Sequence, residues 1–310
     1  MTKSETPTLV SIGMPTYNGE KTICRALDSL LAQDFKDFEL IISDNASTDS
    51  TGNICQQYAM SDPRVRYYRN ERNIGVVANF NRSLHLARGK YFMWAADDDF
   101  WDSSFVSCMV DALNNNPDAV LSFCHFAAIE EPLLIQRDPW SRIIRGDRFY
   151  MLLRQCYLIP WPGYTAVYTY GFIRRDVLLK CGGMETRVDA ARANPEMATL
   201  FHLLCYGRFV KVDKLLFYRR YTSDRPFIND PHSQKLLKES SYYMTWWRVW
   251  HQHYRILRVI VKETPLQAFQ KNILLMVLYI SELHLNFTYI VLFLRKVFSR
   301  EFFRTIFMKI

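Results

Sequence analysis

Residues 89–101, GKYFMWAADDDFW, combine a short apolar run with three consecutive carboxylates. The run from Tyr91 to Ala96 has the composition of a strand that is buried on both faces. Asp97, Asp98 and Asp99 follow directly, and such close like charges repel unless a cation or donors compensate them. Because Mg²⁺ and Mn²⁺ prefer carboxylate and phosphate oxygens, the stretch indicates a divalent cation that carries phosphates. A solvated turn after an edge strand is the alternative.

The residues around this stretch alternate apolar strands with amphipathic helices. We predict strands over 8–14, 38–43, 65–69 and 119–125, and helices over 20–33, 49–58, 74–87 and 103–115. This alternation is typical of βαβ units, whose strands run parallel. The sequence therefore predicts an α/β fold with a mostly parallel sheet and flanking helices.

Polar residues follow three of these predicted strands. They are Thr16-Tyr17-Asn18, then Asp44, then the acids at 97–99. Ligands of parallel sheets bind at the carboxyl ends of the strands, so we expect these clusters to line one rim. The first strand is followed by no GxGxxG motif and no P-loop, which excludes the usual dinucleotide and Walker-type phosphate sites.

The predicted strands and helices after the acids alternate less regularly. We predict an irregular region over 129–162 with a helix near 147–156, then a strand over 168–175 and a helix that closes at Cys181-Gly182-Gly183. A helix over 196–206 ends at Gly207, and two short strands over 209–213 and 215–219 form a pair. This part of the chain extends the same α/β unit.

Composition limits the class of protein. The chain has 310 residues, of which 49% are hydrophobic and 23% are charged, as in a folded protein with a sizeable core. Seven cysteines without a CxxC motif fit reduced thiols, and the first ten residues contain no signal-peptide core. We therefore expect a cytoplasmic protein. The net charge of +8 lies mainly in residues 248–310, so nucleic-acid binding by the whole protein is not indicated.

The tail changes character from residue 241. Tyr and Trp residues interleave with basic residues up to Tyr254, and an apolar run extends from Ile273 to Leu294. Glu282, His284 and Asn286 interrupt that run, and one charge in a bilayer centre costs roughly 2.5–3.5 kcal/mol. The pattern favours a platform on a membrane surface. The second interpretation is a helical bundle packed on the α/β domain or on a dimer partner, and the third is a true membrane span.

Five motifs in order resemble the family 2 glycosyltransferases, which have the GT-A fold and invert the transferred sugar. They are VSIGMPTYN at 10–18, LIISDNASTD at 40–49, NIG at 73–75, ARGKY at 87–91 and DDD at 97–99. The segment from Glu196 to Gly207 and Tyr218-Arg219 resemble the acceptor-side helix and closing strand of that family. The resemblance covers residues 8–222, and we divide the chain into a GT-A domain at 1–225 and a helical tail at 226–310.

The resemblance implies transfer of a sugar from a nucleotide diphosphate sugar, UDP- or dTDP-linked, to a lipid-linked or surface-polysaccharide acceptor. Asp44 would accept a hydrogen bond from the base, and the rest of the donor site would be built around it. The implied donor-binding residues are Thr16, Tyr17, Glu20, Asp44, Asn73, Asp97 and Arg219. For three of them a structural role is the alternative: Asp44 as a helix cap, Tyr17 as a rim aromatic, and Arg219 as the partner of a surface acid.

The resemblance also implies a divalent metal, Mn²⁺ or Mg²⁺, on the diphosphate. The DxD motif of the family aligns with Ala96-Asp97-Asp98, so its first acid is absent here, and Asp98 and Asp99 are the implied ligands. Glu196 lies eleven residues before Gly207, at the position of the catalytic base, after Pro195 in place of the usual acid. Its alternative role is that of an acid at a helix N-terminus.

Two other functions compete with this one. The altered DxD motif and the replaced acid before Glu196 raise the possibility of a catalytically inactive GT-A scaffold in a polysaccharide-assembly complex. A nucleotidyltransferase also uses a parallel sheet with metal-bound acids, but the first loop here lacks the Gly-rich, basic character that this class needs. We expect the enzyme to work at the inner face of the plasma membrane, and it could form a homo-oligomer.

Overall fold

The computed structural model describes residues 8–130, 133–137, 148–157, 169–187, 195–220 and 240–297. Its strands are β1 Val10–Thr16, β2 Phe38–Asp44, β3 Val65–Arg69, β4 Tyr91–Trp94, β5 Phe100–Trp101, β6 Ala119–Glu130, β7 Leu133–Arg137, β8 Phe172–Arg174 and β9 Arg208–Arg220. The helices are α1 Ile23–Leu31, α2 Thr51–Ser61, α3 Val76–His85, α4 Phe105–Asn114, α5 Arg148–Tyr157, α6 Arg175–Lys180, α7 Pro195–Leu204, α8 Ser240–Glu263 and α9 Ala268–Val297.

The described strands form one mixed sheet in the order β3-β2-β1-β4-β8-β6-β9-β5, with β7 beside β6. The half that contains β3, β2, β1 and β4 is parallel, as the alternating sequence predicts. The prediction of a mostly parallel sheet fails in the other half, where β8 runs antiparallel to both β4 and β6. Strand direction depends on where the connecting segment crosses the sheet, and strand composition does not encode that crossing.

The predicted strand pair near residues 209–219 is a single strand, β9. It runs parallel to β6, and its register shifts between Cys124, which lies opposite Val212, and His125, which lies opposite Leu215. Asp213 and Lys214 are exposed at this irregularity. A bulge places extra residues in one strand of a pair, so the polar interruption looked like a turn in sequence.

The core lies on both faces of the parallel half. Leu40, Ile41 and Ile42 of β2 are all 0% exposed, which is the continuous burial expected of a strand between two helical layers. On one side α1 packs with its periodic apolar residues Ile23 and Leu27 inward, as its sequence predicts. The seven cysteines are free thiols, and Cys24 is the exposed one among them.

The tail helices α8 and α9 pack on each other and on the α/β unit. Contacts join α8 to α7 and α9 to α5, and the buried core continues through Leu257 and Ile260 of α8 and Leu274 of α9. No helix within the described ranges is long and apolar enough to cross a bilayer. The side chains of Tyr242, Tyr243 and Trp246 lie outside the described part. So does the expected domain boundary at 225/226.

Gly89 lets the chain pass close behind β1 before it enters β4. A Cβ atom at this position would lie 2.7 Å from the backbone nitrogen of Ser11 and 2.7 Å from the carbonyl carbon of Val10. Its N–H donates to Ser11 Oγ at 2.8 Å, and that hydroxyl in turn donates to buried Glu39 at 2.6 Å. The glycine therefore fixes how closely β4 can enter beside β1.

Gly89→Ala should lower the free energy of unfolding by about 1–3 kcal/mol, because backbone must move to admit the methyl group. Urea unfolding followed by circular dichroism measures the change. Lys90→Ala, at the exposed neighbouring position, is the matched control and should shift stability by less than about 0.5 kcal/mol. Equal stability of Gly89→Ala and the wild type would contradict the close approach.

Candidate active site

The carboxyl ends of β1, β2 and β4 meet at one rim of the sheet, as predicted. Thr16 at the end of β1 lies opposite Asp44 at the end of β2. The hydroxyl of Thr16 donates to Asp97 Oδ2 at 2.5 Å, across 81 residues of sequence. Thr16, Asp44 and Asp97 thus belong to one continuous polar edge. Tyr17, next in the chain, is 48% exposed at the outside of this edge.

Asp44 is completely buried and receives three hydrogen bonds from nearby residues. The backbone N–H of Ser47 donates to Oδ1 at 2.8 Å, and the hydroxyl of Tyr67 donates to Oδ2 at 2.7 Å. Arg69 donates to the same Oδ2 at 2.9 Å, and its side chain is 47% exposed. Burial of a polar group is costly unless it is hydrogen-bonded, so Tyr67 and Arg69 offset the lost hydration of the Asp44 side chain.

The loop after β1 is fastened to the start of α2. Glu20 Oε2 accepts the N–H of Ser50 at 2.9 Å, and the N–H of Glu20 donates to Asp49 Oδ2 at 3.2 Å. Asn18 has a φ of 54° and its side chain accepts the N–H of Thr48 at 2.8 Å. Glu20 therefore satisfies a helix-terminal donor here, and its predicted part in nucleotide binding stays a prediction.

Asn73 belongs to a network of amide side chains between β2 and α3. Its Oδ1 accepts Asn45 Nδ2 at 2.8 Å and the N–H of Gly75 at 2.9 Å. Asn45 Oδ1 accepts Asn70 Nδ2 at 2.9 Å, and Asn79 is bonded to Asn70 and to β2. The network positions exposed Asn73 beside the rim.

The acid cluster is held between two strands. Asp99 is 2% exposed, and its Oδ1 accepts the backbone N–H of Arg220 at 2.9 Å. Burial raises the pKa of Asp99 to about 7, and Asp97 adds to the rise, while the N–H of Arg220 and the charge of Arg219 oppose it. Asp97 and Asp98 are half-buried. The three acids thus occupy different environments despite being adjacent in sequence.

Ring contacts fix the strand that follows the acids. Phe100 of β5 stacks on Tyr218 of β9 with centroids 4.9 Å apart, and Trp101 stacks on Phe217 at 5.7 Å. The guanidinium of Arg25 lies 3.7 Å from the Phe100 centroid. These contacts bring the end of β9, with Arg219, next to the acid cluster.

Glu196 lies in the first turn of α7 and is half-buried. It shares its neighbourhood with the acids through Tyr170. The pKa of Tyr170 is raised well above its ordinary value, first by loss of hydration, then by the charges of Glu196, Asp99 and Asp97, against the opposing charge of Arg219. The charges of Glu196, Arg219, Asp97 and Asp99 therefore all act on one tyrosine.

Sequence reasoning missed several residues of this site. Tyr67 and Arg69 alternate along β3 and reach Asp44 because β3 lies beside β2 in register. The sequence did offer one signal for Tyr67 and Arg69, since both lie at the carboxyl end of a predicted strand. Tyr170 offered none, since its place depends on the antiparallel entry of β8.

A cleft of about 530 Å³ opens next to Asp44. Its lining is polar and comes from the loop after β2, the start of α2 and the end of β3: Ser47, Thr48, Asp49, Gly52, Asn53, Gln56, Tyr67 and Arg69. Among the residues that the structure describes, no group of three His, Cys, Asp or Glu side chains is arranged to hold a metal ion.

Arg69→Met should lower the midpoint of unfolding, because buried Asp44 loses a charged partner that methionine cannot replace. Thermal and urea unfolding measure the loss. Arg72→Met removes the same charge at an exposed position and should have little effect. If both variants were equally stable, the pairing with Asp44 would not matter for stability.

Comparisons with known proteins agree with this geometry. The family model described as glycosyl transferase family 2 matches residues 11–181, more than half of the chain. The GalNAc(5)-diNAcBac-PP-undecaprenol beta-1,3-glucosyltransferase of Campylobacter jejuni is 32% identical over 116 residues, which is 37% of this chain and 38% of that protein. The chain spans only about a third of the length of such curated relatives. For another relative the matched part is 36% of that protein.

Solved structures share the fold at low sequence identity. S. aureus TarS in complex with UDP is similar with a TM-score of 0.61 at 17% identity, over 87% of this chain and 70% of that one. The mannosyltransferase PcManGT from Pyrobaculum calidifontis, in complex with GDP-Man and Mn²⁺, has a TM-score of 0.56 at 17% identity, over 89% and 70%. With its GT-A-like sheet and the family match over 11–181, this chain belongs to glycosyl transferase family 2.

Proposed function

We propose that the protein transfers a sugar, with inversion, from a nucleotide diphosphate sugar to a lipid-linked or surface-polysaccharide acceptor at the inner face of the plasma membrane. The observation that carries this proposal is the polar rim where Thr16 lies opposite Asp44 and donates to Asp97, with Asp99 bonded to the end of β9. The charges of Glu196 and Arg219 act on Tyr170 together with those of Asp97 and Asp99. A base, a cation and acids at one edge suit transfer of a group from a diphosphate.

The donor would bind along the rim from β1 to β3. Thr16, Tyr17 and Glu20 would frame the base, and Asn73 would lie near the base and ribose. Asp44 would accept a hydrogen bond from the base, which requires Arg69 to move off its Oδ2. UDP or dTDP is the expected carrier, and the structural relative TarS is known in complexes with UDP and UDP-GlcNAc.

The residues present fit a divalent metal that shares its ligands with phosphate. Carboxylates are the ligands that Mg²⁺ and Mn²⁺ prefer, and one or two of them with substrate phosphates are sufficient for Mg²⁺. Asp98 and Asp99 would hold the ion. Asp97, next to them, accepts a hydrogen bond from the hydroxyl of Thr16. When bound, the metal would neutralise the charge that develops on the leaving diphosphate.

The chain itself would perform the proton transfer and orient the reactants. Glu196 would take the proton of the acceptor hydroxyl while that oxygen bonds to the anomeric carbon and the bond from this carbon to the diphosphate oxygen breaks. One displacement from the opposite side inverts the anomeric configuration. Arg219 would offset negative charge on the diphosphate from the end of β9.

A polysaccharide or lipid-linked acceptor is proposed from the relatives. The C. jejuni relative is named for a polyprenyl diphosphate-linked glycan, and it matches this chain over 116 residues. The alternative is an inactive scaffold, favoured by Ala96 at the first position of the DxD motif. Release of nucleotide from a panel of nucleotide sugars with Mn²⁺ and a lipid-linked acceptor distinguishes the two: turnover supports the enzyme, and donor binding without turnover supports the scaffold.

Asp98→Ala should abolish transfer while the protein stays folded, because the cation loses a ligand. EDTA should silence the wild type, and Mn²⁺ or Mg²⁺ should restore it. Calorimetry should show that Mn²⁺ strengthens UDP binding to the wild type but not to Asp98→Ala. Asp111→Ala, on the exposed side of α4, is the control. Full transfer by the wild type in EDTA would exclude the metal role.

Glu196→Gln should lower kcat by roughly 10²–10⁴-fold, the usual weight of a general base, with nucleotide affinity nearly unchanged. Steady-state kinetics and UDP titration measure the two quantities separately. An equal loss of nucleotide affinity would instead assign Glu196 a structural role at the start of α7.

A further inference from the structure

Two of the polar residues that interrupt the apolar run of α9, Glu282 and Asn286, face the neighbouring helix, while His284 is exposed. Glu282 is 7% exposed, forms an ion pair with Arg258 of α8 and lies against the ring of His251. Asn286 Oδ1 accepts the indole N–H of Trp247 at 2.6 Å. In sequence these residues argued against a helix that spans the membrane. In the structure, the side chains of Glu282 and Asn286 contact residues of α8 inside the helix pair.

The opposite face of α9 is exposed and mostly apolar, with Asn272 and His284 at its two edges. The residues at its centre recur at intervals of three, four or seven, which places them on one side of a helix. We call them the α9 stripe: Phe269, Met276, Ile280, Leu283 and Phe287, with exposures of 72%, 55%, 49%, 68% and 62%. From residue 269 to residue 287 the stripe is about 27 Å long at 1.5 Å per residue. Tyr279, 53% exposed, lies at its edge.

A row of basic residues accompanies the stripe on α8. Arg248, Arg255 and Lys262 are exposed and seven residues apart, so they form one line, which we call the α8 basic row. Val259, 39% exposed, lies on the same side.

The stripe and the row lie on the same side of the helix pair. The two helices are antiparallel, since Lys271 reaches the carbonyl of Lys262 while Asn286 meets Trp247. On each helix the exposed residues come one position after the contact residues, as Arg248 follows Trp247 and Phe287 follows Asn286. Two antiparallel helices are related by an approximate twofold axis perpendicular to the plane that contains both helix axes. One residue further along a helix corresponds to a rotation of about 100° in the same sense on each helix. The exposed rows of α8 and α9 therefore lie on the same side of that plane.

The chemistry of this face matches an anionic lipid surface. An apolar helical stripe beside a basic row is the pattern of helices that lie in a membrane interface. The acids of α8 and α9 between residues 248 and 287 are Glu263 and Glu282. Glu282 is turned inward, and Glu263 lies at the end of α8, 3.8 Å from Arg187. The face is therefore positive along its described length.

We propose that the α9 stripe and the α8 basic row together dock the protein on an anionic phospholipid bilayer, with the stripe inserted at headgroup depth. This deepens the membrane part of the proposed function by naming the surface that makes contact. Of the two helices, α8 also packs on α7, which carries Glu196.

Cosedimentation of the full chain with vesicles tests the surface without any donor. We expect binding to vesicles of phosphatidylglycerol and phosphatidylcholine, weaker binding at high salt, and little binding to phosphatidylcholine alone. Arg248→Gln with Arg255→Gln should lower the partition coefficient about thirtyfold. Leu283→Gln with Phe287→Gln should lower it at least tenfold.

Matched controls remove the same groups elsewhere. Met60→Gln removes an 81% exposed apolar side chain from α2, and Arg72→Gln removes an exposed charge after β3. Both should bind like the wild type. No binding of the wild type to anionic vesicles, or equal binding of all variants, would overturn the proposal. The proposal would also be overturned if the wild type bound no vesicles and formed a dimer in ultracentrifugation, and the variant Leu283→Gln with Phe287→Gln were a monomer. Nucleotide release from a donor in detergent tests the transferase activity separately.

Discussion

The hydrogen bond from Thr16 to Asp97 joins the first strand of the sheet to the acid cluster. Three adjacent carboxylates at a sheet rim repel one another, so each needs a donor or a cation nearby. The chain supplies donors from both sides, Thr16 from β1 and the N–H of Arg220 from β9. Gly19 contributes as well, because a Cβ there would lie 2.6 Å from Asp97 Oδ2. The compensation of these charges thus draws three separate segments of the chain together.

The parallel half of the fold was predictable from local pattern. The bounds of β3 agree with the prediction, and those of β1, β2 and α1 to α4 differ by one to three residues, because apolar periodicity and turn residues mark them. The antiparallel entry of β8 and the single long β9 were not predictable, since both depend on pairing between distant residues. A bulge at Asp213 and Lys214 has the same polar residues as a turn.

The site was predictable where residues end a strand and not where they approach from another element. Thr16, Asp44 and Asp97 could be placed at one rim because parallel strands share their carboxyl edge. The partners of Asp44 could not be assigned, because the register between β3 and β2 determines which side chains of β3 reach Asp44. The inward turn of Glu282 was likewise hidden, since sequence shows where a charge occurs along a helix but not which neighbour it faces.

The amide network of Asn45, Asn70, Asn73 and Asn79 gives one wall of the rim a constant chemistry. Amide side chains neither gain nor lose protons in the range where proteins fold, and each offers a donor and an acceptor together. The wall beside β3 therefore keeps its shape and its pattern of donors as the medium changes. The acids at 97–99 lie at the same rim and are groups of a different kind, because adjacent carboxylates repel until donors or a cation compensate them. One rim thus combines a fixed pattern of amide donors and acceptors with side chains that need a partner.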